Sequence, residues 1–78
     1  MRIDYSHQAK KAIARLDRAL KRRVRMAIEK LPGGDVKKLK GFSIAYRLRV
    51  GDYRVLFDME GNEIKVTNVL PRGEAYKV

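Results

Sequence analysis

Cysteine and tryptophan are absent from this 78-residue sequence, and proline occurs only twice. Without cysteine the chain has neither a disulfide framework nor thiolate chemistry. No apolar run approaches the ~20 residues that a membrane-spanning helix needs, so we expect no segment to span a bilayer. The N-terminus, MRIDYSHQAKK, is charged from its second residue and contains no hydrophobic stretch, so we expect no secretory leader and a cytoplasmic location.

Acidic residues are scarce relative to basic ones. The sequence has 19 Lys and Arg against 9 Asp and Glu, which gives a formal net charge of +10. Such an excess predicts a polyanionic partner, most commonly nucleic acid, because each basic group that displaces a condensed counterion gains entropy. The electrostatic field of this positive charge would also attract an acidic protein or a membrane surface. The remaining interpretation is that the basic surface only keeps the protein soluble.

The first half of the sequence has the pattern of a helical hairpin. A hydrophobic fraction of 45% predicts one small folded domain over residues 1–78. MRIDY is predicted as a short strand, and Ser6 as the cap of a helical region without Gly or Pro over residues 7–31. Asp17 is a plausible internal N-cap, so two helices, the second starting near Arg18, are favoured over one long helix. The apolar stripe of this region consists of Ala9, Ala12, Ile13, Leu16, Leu20, Val24, Ala27, Ile28 and Leu31.

Two glycine turns divide the second half into antiparallel strands. LPGGD ends the helices, and a basic loop over residues 36–41 leads into the sheet. A two-residue turn at Gly51-Asp52 sets Arg49 opposite Arg54, and a second turn lies at Gly61-Asn62. The predicted fold is therefore α+β, with a small antiparallel β-sheet packed against an N-terminal helical hairpin in β-α-α-β-β-β order.

Strict alternation assigns each strand residue to one face of this sheet, up to Pro71, where the last strand should end. The core face is predicted to carry Ile44, Tyr46, Leu48, Val50, Tyr53, Val55, Phe57, Met59, Ile64 and Val66. The polar face is predicted to carry Arg47, Arg49, Arg54, Leu56, Asp58, Lys65, Thr67 and Val69, with Asp58 opposite Lys65.

Three arginines on one face of a hairpin repel each other, and like charges set opposite one another destabilise a sheet. An anionic ligand relieves that repulsion, and the forked donors of Arg47, Arg49 and Arg54 suit phosphate, since a guanidinium stays charged at any relevant pH. The alternative is that the long side chains extend into water from the solvated face of the sheet. For three clustered arginines we favour the phosphate site.

The combined motifs of the sequence resemble those of the RelE/ParE superfamily of bacterial and archaeal toxins. The resemblance covers nearly the whole chain and rests on Leu39-Lys40-Gly41, YRLRVGDYRVLF, a glycine turn and IKVTNVLPRGEAYKV. It implies a RelE-type toxin, an mRNA interferase that enters the ribosomal A site and cuts messenger RNA. By position, the catalytic residues of the family fall on Arg47, Arg49, Arg54, Arg72 and Tyr76.

The implied reaction is a metal-independent endoribonuclease reaction in which the ribose 2′-oxygen is the nucleophile. Arg54 and Arg72 suit the phosphate, and Tyr76 suits stacking on a nucleobase. The best-known RelE members carry lysines in the middle strand, where this sequence has arginines, which are poor general bases. The base therefore stays unassigned; His7 suits a capping or solvated role better, and Glu74 suits an ion pair better.

Partners and rival functions follow from the same resemblance. We expect a cognate acidic antitoxin, the ribosome and mRNA as partners, RNA contacts from Lys37, Lys38 and Lys40, and no metal, cofactor or membrane. Two alternatives stay open: a ParE-type toxin that inhibits DNA gyrase by protein contact, and a non-catalytic basic RNA-binding module.

Overall fold

The structure is a computed structural model that describes residues 2–39 and 45–71. Its elements follow the predicted order with one strand more. They are β1 (Arg2–Tyr5), α1 (His7–Ala14), α2 (Arg18–Glu29), β2 (Val36–Lys38), β3 (Tyr46–Val50), β4 (Tyr53–Glu60) and β5 (Glu63–Pro71). The α+β prediction is confirmed, but the prediction of a loop over residues 36–41 is wrong for β2, whose backbone pairs with β3.

The helical hairpin forms because two polar side chains cap two separate helices. The Ser6 hydroxyl oxygen accepts a hydrogen bond from the Ala9 amide at 3.0 Å, which starts α1. The Asp17 carboxylate accepts one from the Leu20 amide at 2.8 Å, which starts α2. Each bond satisfies an amide that has no partner within its helix. The predicted break near Asp17 is confirmed.

The five strands lie in the order β1-β5-β4-β3-β2. β1 runs parallel to β5, and every other neighbouring pair is antiparallel. The predicted register is confirmed, because Arg49 pairs with Arg54 and Asp58 with Lys65. Gly51 sits at a φ of 57°, a conformation that side chains disfavour and that this hairpin turn requires.

Both helices cover one face of the sheet and bury it. The buried cluster joins Ala9, Ile13, Val24, Ile28 and Leu31 of the helical region to Leu48, Val50, Val55, Phe57, Ile64, Val66 and Val69 of the sheet. The opposite face is therefore left to the polar side chains. No helix among the described residues is long and apolar enough to cross a membrane.

A β-bulge in β5 changes which residues occupy each face. Leu56 pairs with Asn68 whereas Phe57 pairs with Val66, so Thr67 is an extra residue. The Thr67 hydroxyl donates to the Leu56 carbonyl at 3.0 Å, and the Ser6 hydroxyl donates to the Thr67 carbonyl at 2.7 Å. The prediction that Val69 lies on the polar face is wrong: the extra residue inverts the alternation and turns Val69 into the core.

Candidate functional site

The face of the sheet away from the helices carries arginines on its two central hairpin strands. Arg49 of β3 lies directly opposite Arg54 of β4, and Arg47 lies opposite Leu56. On its other side Arg47 pairs with Lys37 of β2. We call Arg47, Arg49 and Arg54 the arginine face. The structure brings together these three residues, as the alternation of the sequence predicts.

Arg54 is the one buried charged residue among those that the structure describes, with 7% of its surface exposed. Its Nη1 donates to the carbonyl oxygens of Tyr53 at 3.2 Å and Gly51 at 3.4 Å. Its Nε is buried and has no hydrogen-bond partner among the described residues. A buried guanidinium with an unused donor costs free energy until an acceptor binds it, and an anion supplies both the acceptor and the opposite charge.

Arg47 is held in place by Asp35, which comes directly before β2. The Arg47 side chain is 13% exposed. Its Nη1 lies 3.1 Å from the main-chain carbonyl oxygen of Asp35 and 3.4 Å from the carboxylate Oδ1. The same carbonyl oxygen accepts a hydrogen bond from the Arg49 amide at 3.0 Å. Asp35 therefore sets the orientation of Arg47. Apart from its place after two glycines, no feature of the sequence indicates this role.

The three predicted RNA-binding lysines do not act as one group. Lys37 pairs with Arg47 and lies on the arginine face, whereas Lys38 pairs with Tyr46 and alternates to the other face. Both are exposed. Lys40 lies outside the described residues, as do Arg72, Glu74 and Tyr76.

The surface beside the arginines is apolar at one position. Leu56 is 5% exposed and lies between Arg47 and Asn68 in a row across the strands. Its position on the polar face is as predicted, although its burial is not. The buried Leu56 lowers the local polarity around Arg47, which strengthens the attraction of the Arg47 guanidinium to an anion.

The far end of the same face is acidic. Asp4 and Asp58 flank Lys65 in one row across β1, β5 and β4. Arg2 lies 3.5 Å from the Asp4 carboxylate and 3.8 Å from that of Glu63. The positive potential of this face is therefore concentrated at the arginine end.

No described histidine or metal site accompanies the arginines. His7 begins α1, in the helix layer on the other side of the sheet, and is exposed. Within residues 2–39 and 45–71, no three His, Cys, Asp or Glu side chains are grouped so as to hold a metal ion. What the described arginine face can do chemically is bind and neutralise a phosphate group.

Comparison with known proteins gives a consistent set of relatives. No family model matches the sequence. Toxin RelE3 of Methanocaldococcus jannaschii is 32% identical over 65 residues, which cover 73% of this chain and 74% of that protein. The RelB-RelE antitoxin-toxin complex of Methanococcus jannaschii matches with a TM-score of 0.76, 26% identity and 94% of both chains covered. The archaeal RelE-RelB complex of Pyrococcus horikoshii matches with a TM-score of 0.73 and 35% identity, covering 92% of this chain and 94% of that one.

Proposed function

Since this chain belongs to the RelE-type toxins of the RelE/ParE superfamily, we propose that it cleaves messenger RNA in the ribosomal A site and is neutralised by a cognate antitoxin. The observation that carries the proposal is the buried Arg54, on a face that already holds two more arginines. Within residues 2–39 and 45–71 its Nε has no hydrogen-bond partner. Its unused donor and its uncompensated charge both favour binding of a phosphate group.

The reaction requires the 2′-oxygen of one ribose to attack the adjacent phosphorus. The bond from phosphorus to the 5′-oxygen breaks, so the products are a 2′,3′-cyclic phosphate and a 5′-hydroxyl. The attacking hydroxyl gives up a proton and the leaving 5′-oxygen takes one. Negative charge builds on the phosphoryl oxygens, and fixed guanidinium groups at Arg54 and Arg47 stabilise it without reorganising.

Two residues of the C-terminal segment complete the proposed site. Arg72 contacts the scissile phosphate as charge builds, and Tyr76 stacks on a nucleobase and holds the nucleotide for in-line attack. Both assignments come from their positions in the family pattern. The general base has no assignment among the described residues, because arginine does not readily lose its proton and His7 lies in the helix layer.

The proposed partner is a small acidic antitoxin. Two of the matching structures are complexes of a RelE protein with RelB. The formal net charge of +10 attracts an acidic chain and speeds its association. Co-expression with the acidic protein of the same operon should give a stable complex and restore growth, whereas purification of the toxin alone from unharmed cells would contradict this.

End-mapping of a translated message tests the proposed reaction most cheaply. Added to an in vitro translation system, the protein should produce cuts in the A-site codon that bear cyclic phosphate ends. Gyrase-linked DNA breaks without mRNA cuts would instead support the ParE-type alternative. Binding to ribosomes without any cut would support a non-catalytic RNA-binding module.

A further inference from the structure

A notch on the helix layer lies on the opposite side of the molecule from the arginine face. Its volume is about 320 Å³, and it is formed by β1, α1 and α2. The residues that line it are Tyr5, Lys10, Ile13, Ala14, Lys21 and Arg25. We propose that this helix notch is a second RNA-binding site, which holds one backbone phosphate between Lys10, Lys21 and Arg25.

The position of the notch follows from the sheet register. Tyr5 pairs with Val66, which is fully buried in the core, so the Tyr5 ring lies on the face that the helices cover. α1 and α2 supply the other walls. The helix notch and the arginine face are therefore separated by the sheet, in a molecule whose smallest dimension is 23 Å.

Three cations from two helices converge on the notch. Lys10 comes from α1, while Lys21 and Arg25 are one turn apart on α2. None of the three side chains forms a hydrogen bond or ion pair with the described residues, and no described acidic residue lines the notch. Like charges one turn apart on a helix repel each other, so an anion between Lys21 and Arg25 relieves that repulsion.

Tyr5 supplies a neutral donor at the same place. Burial raises the pKa of the Tyr5 hydroxyl, against the opposing effect of Arg25, and Glu29 raises it further. The hydroxyl therefore stays protonated at neutral pH and donates a hydrogen bond to an oxygen of a bound phosphate. Glu29 acts on Tyr5 from outside the notch and is not ion-paired with any of the three cations.

The shape of the notch favours a phosphate group over an acidic protein segment. Three point charges and one hydroxyl around a small cavity match the several oxygens of a single phosphate. A docked acidic helix needs a long apolar groove as well, and the apolar lining here is limited to Ile13, Ala14 and the Tyr5 ring. Because the notch and the arginine face point in opposite directions, we infer that the protein lies between two RNA segments. This inference does not depend on whether the protein cleaves RNA.

NMR titration of the ¹⁵N-labelled protein tests the notch directly. The probes are inorganic phosphate and a 2′-O-methyl RNA oligonucleotide, which cannot be cleaved. We expect saturable shifts of the Tyr5, Ala14 and Lys21 amides with both probes. The triple variant K10Q/K21Q/R25Q should lose these shifts while keeping those of the arginine face.

A control variant removes the same charge from the same two helices outside the notch. K11Q/R18Q/R22Q should keep the notch shifts. The slope of log RNA affinity against log salt concentration should be steeper for this control than for the notch variant by about 0.7, the contribution of one phosphate contact. An Arg54→Met variant should also keep the notch shifts, which separates this inference from the proposed nuclease function.

Three results would overturn the inference. One is the absence of chemical-shift changes at the notch when RNA is added. Another is that the notch variant and the control variant lose these changes to the same extent. The third is a set of notch shifts produced by polyglutamate but not by RNA, which would make the notch a protein-binding site. The single variant Lys21→Gln, checked for an unchanged unfolding midpoint, provides the same comparison if the triple variant is not folded.

Discussion

Arg54 is a buried guanidinium side chain, with 7% of the residue's surface exposed. The carbonyl oxygens of Gly51 and Tyr53 satisfy one nitrogen of its guanidinium, and Nε has no partner in the part of the chain that the structure describes. A protein under selection for stability alone gains nothing from this arrangement, since a buried unpaired charge costs more than an apolar side chain of similar volume. A buried polar group that lacks a partner is typical of binding sites, where the ligand completes the interactions.

The first prediction at the scale of the residue concerns stability. Arg54→Met replaces the charge with an apolar chain of similar length, so the free energy of unfolding should fall by no more than ~1 kcal/mol or should rise. Urea denaturation followed by circular dichroism measures it. A loss well above that value would mean that the guanidinium stabilises the fold and is not held ready for a ligand.

The second residue-scale prediction separates catalysis from binding at Arg72. Arg72→Ala should slow single-turnover cleavage by ~10² to 10³-fold, the usual cost of losing one preorganised charge-stabilising donor. Ribosome affinity should stay within a few-fold, because many other cations contribute to it. Equal losses of affinity and cleavage would make Arg72 an anchor, and an unchanged rate would make it a bystander.

The alternation of the sequence predicted which arginines share a face of the sheet, but it could not predict how deeply each side chain is buried. Arg47 and Arg54 are largely buried while Arg49 is exposed, although all three occupy equivalent positions in the pattern. Burial depends on the side chains that surround a residue in three dimensions. Asp35 escaped prediction for the same reason, since its bond to Arg47 joins residues 12 apart in sequence.

At the scale of the element, the capped helical hairpin sets how the two helices cover the sheet. Asp17→Ala should lower the free energy of unfolding by about 1 kcal/mol, because the Leu20 amide loses its acceptor. Asp17→Asn is the matched control and should be close to wild type, since asparagine caps equally well. Urea denaturation of the three proteins checks this, and equal stability of all three would show that the cap contributes nothing.

The strand β2 makes a second element-scale prediction possible. Its alternation places Lys37 on the arginine face and Lys38 on the other. Lys37→Gln should therefore lower the salt slope of RNA binding by about 0.7, the loss of one phosphate contact, whereas Lys38→Gln should leave it nearly unchanged. Fluorescence anisotropy at several salt concentrations measures both slopes. A larger effect of Lys38 would place the RNA on the helix side of β2.

Local signals predicted most of the elements, and non-local ones decided the rest. Ser6, Asp17 and the glycine turns act within a few residues of their own positions, so their effects are visible in the sequence. At the bulge, the Thr67 carbonyl oxygen accepts a hydrogen bond from the Ser6 hydroxyl, 61 residues away in sequence. No pattern within β5 reveals that contact, and for this reason the face of Val69 was predicted wrongly.

At the scale of the whole molecule, the charge is unevenly distributed between the two sides of the sheet. The helix layer carries cations around the helix notch, and the polar face divides into an arginine end and an acidic end. A uniform basic surface binds RNA in many orientations. The acidic end disfavours some of those orientations, and in the proposed function it favours those that bring the scissile phosphate to the arginines.

The most direct measurement of the central claim is single-turnover cleavage of a message on programmed ribosomes by three proteins. These are the wild type, Arg54→Met and the control Arg22→Gln, which removes one charge from the exposed surface of α2. If the arginine face stabilises the charge on the phosphorus, Arg54→Met should be slower by ~10² to 10³-fold and Arg22→Gln close to wild type. Equal cleavage rates for Arg54→Met and the wild type would contradict the account.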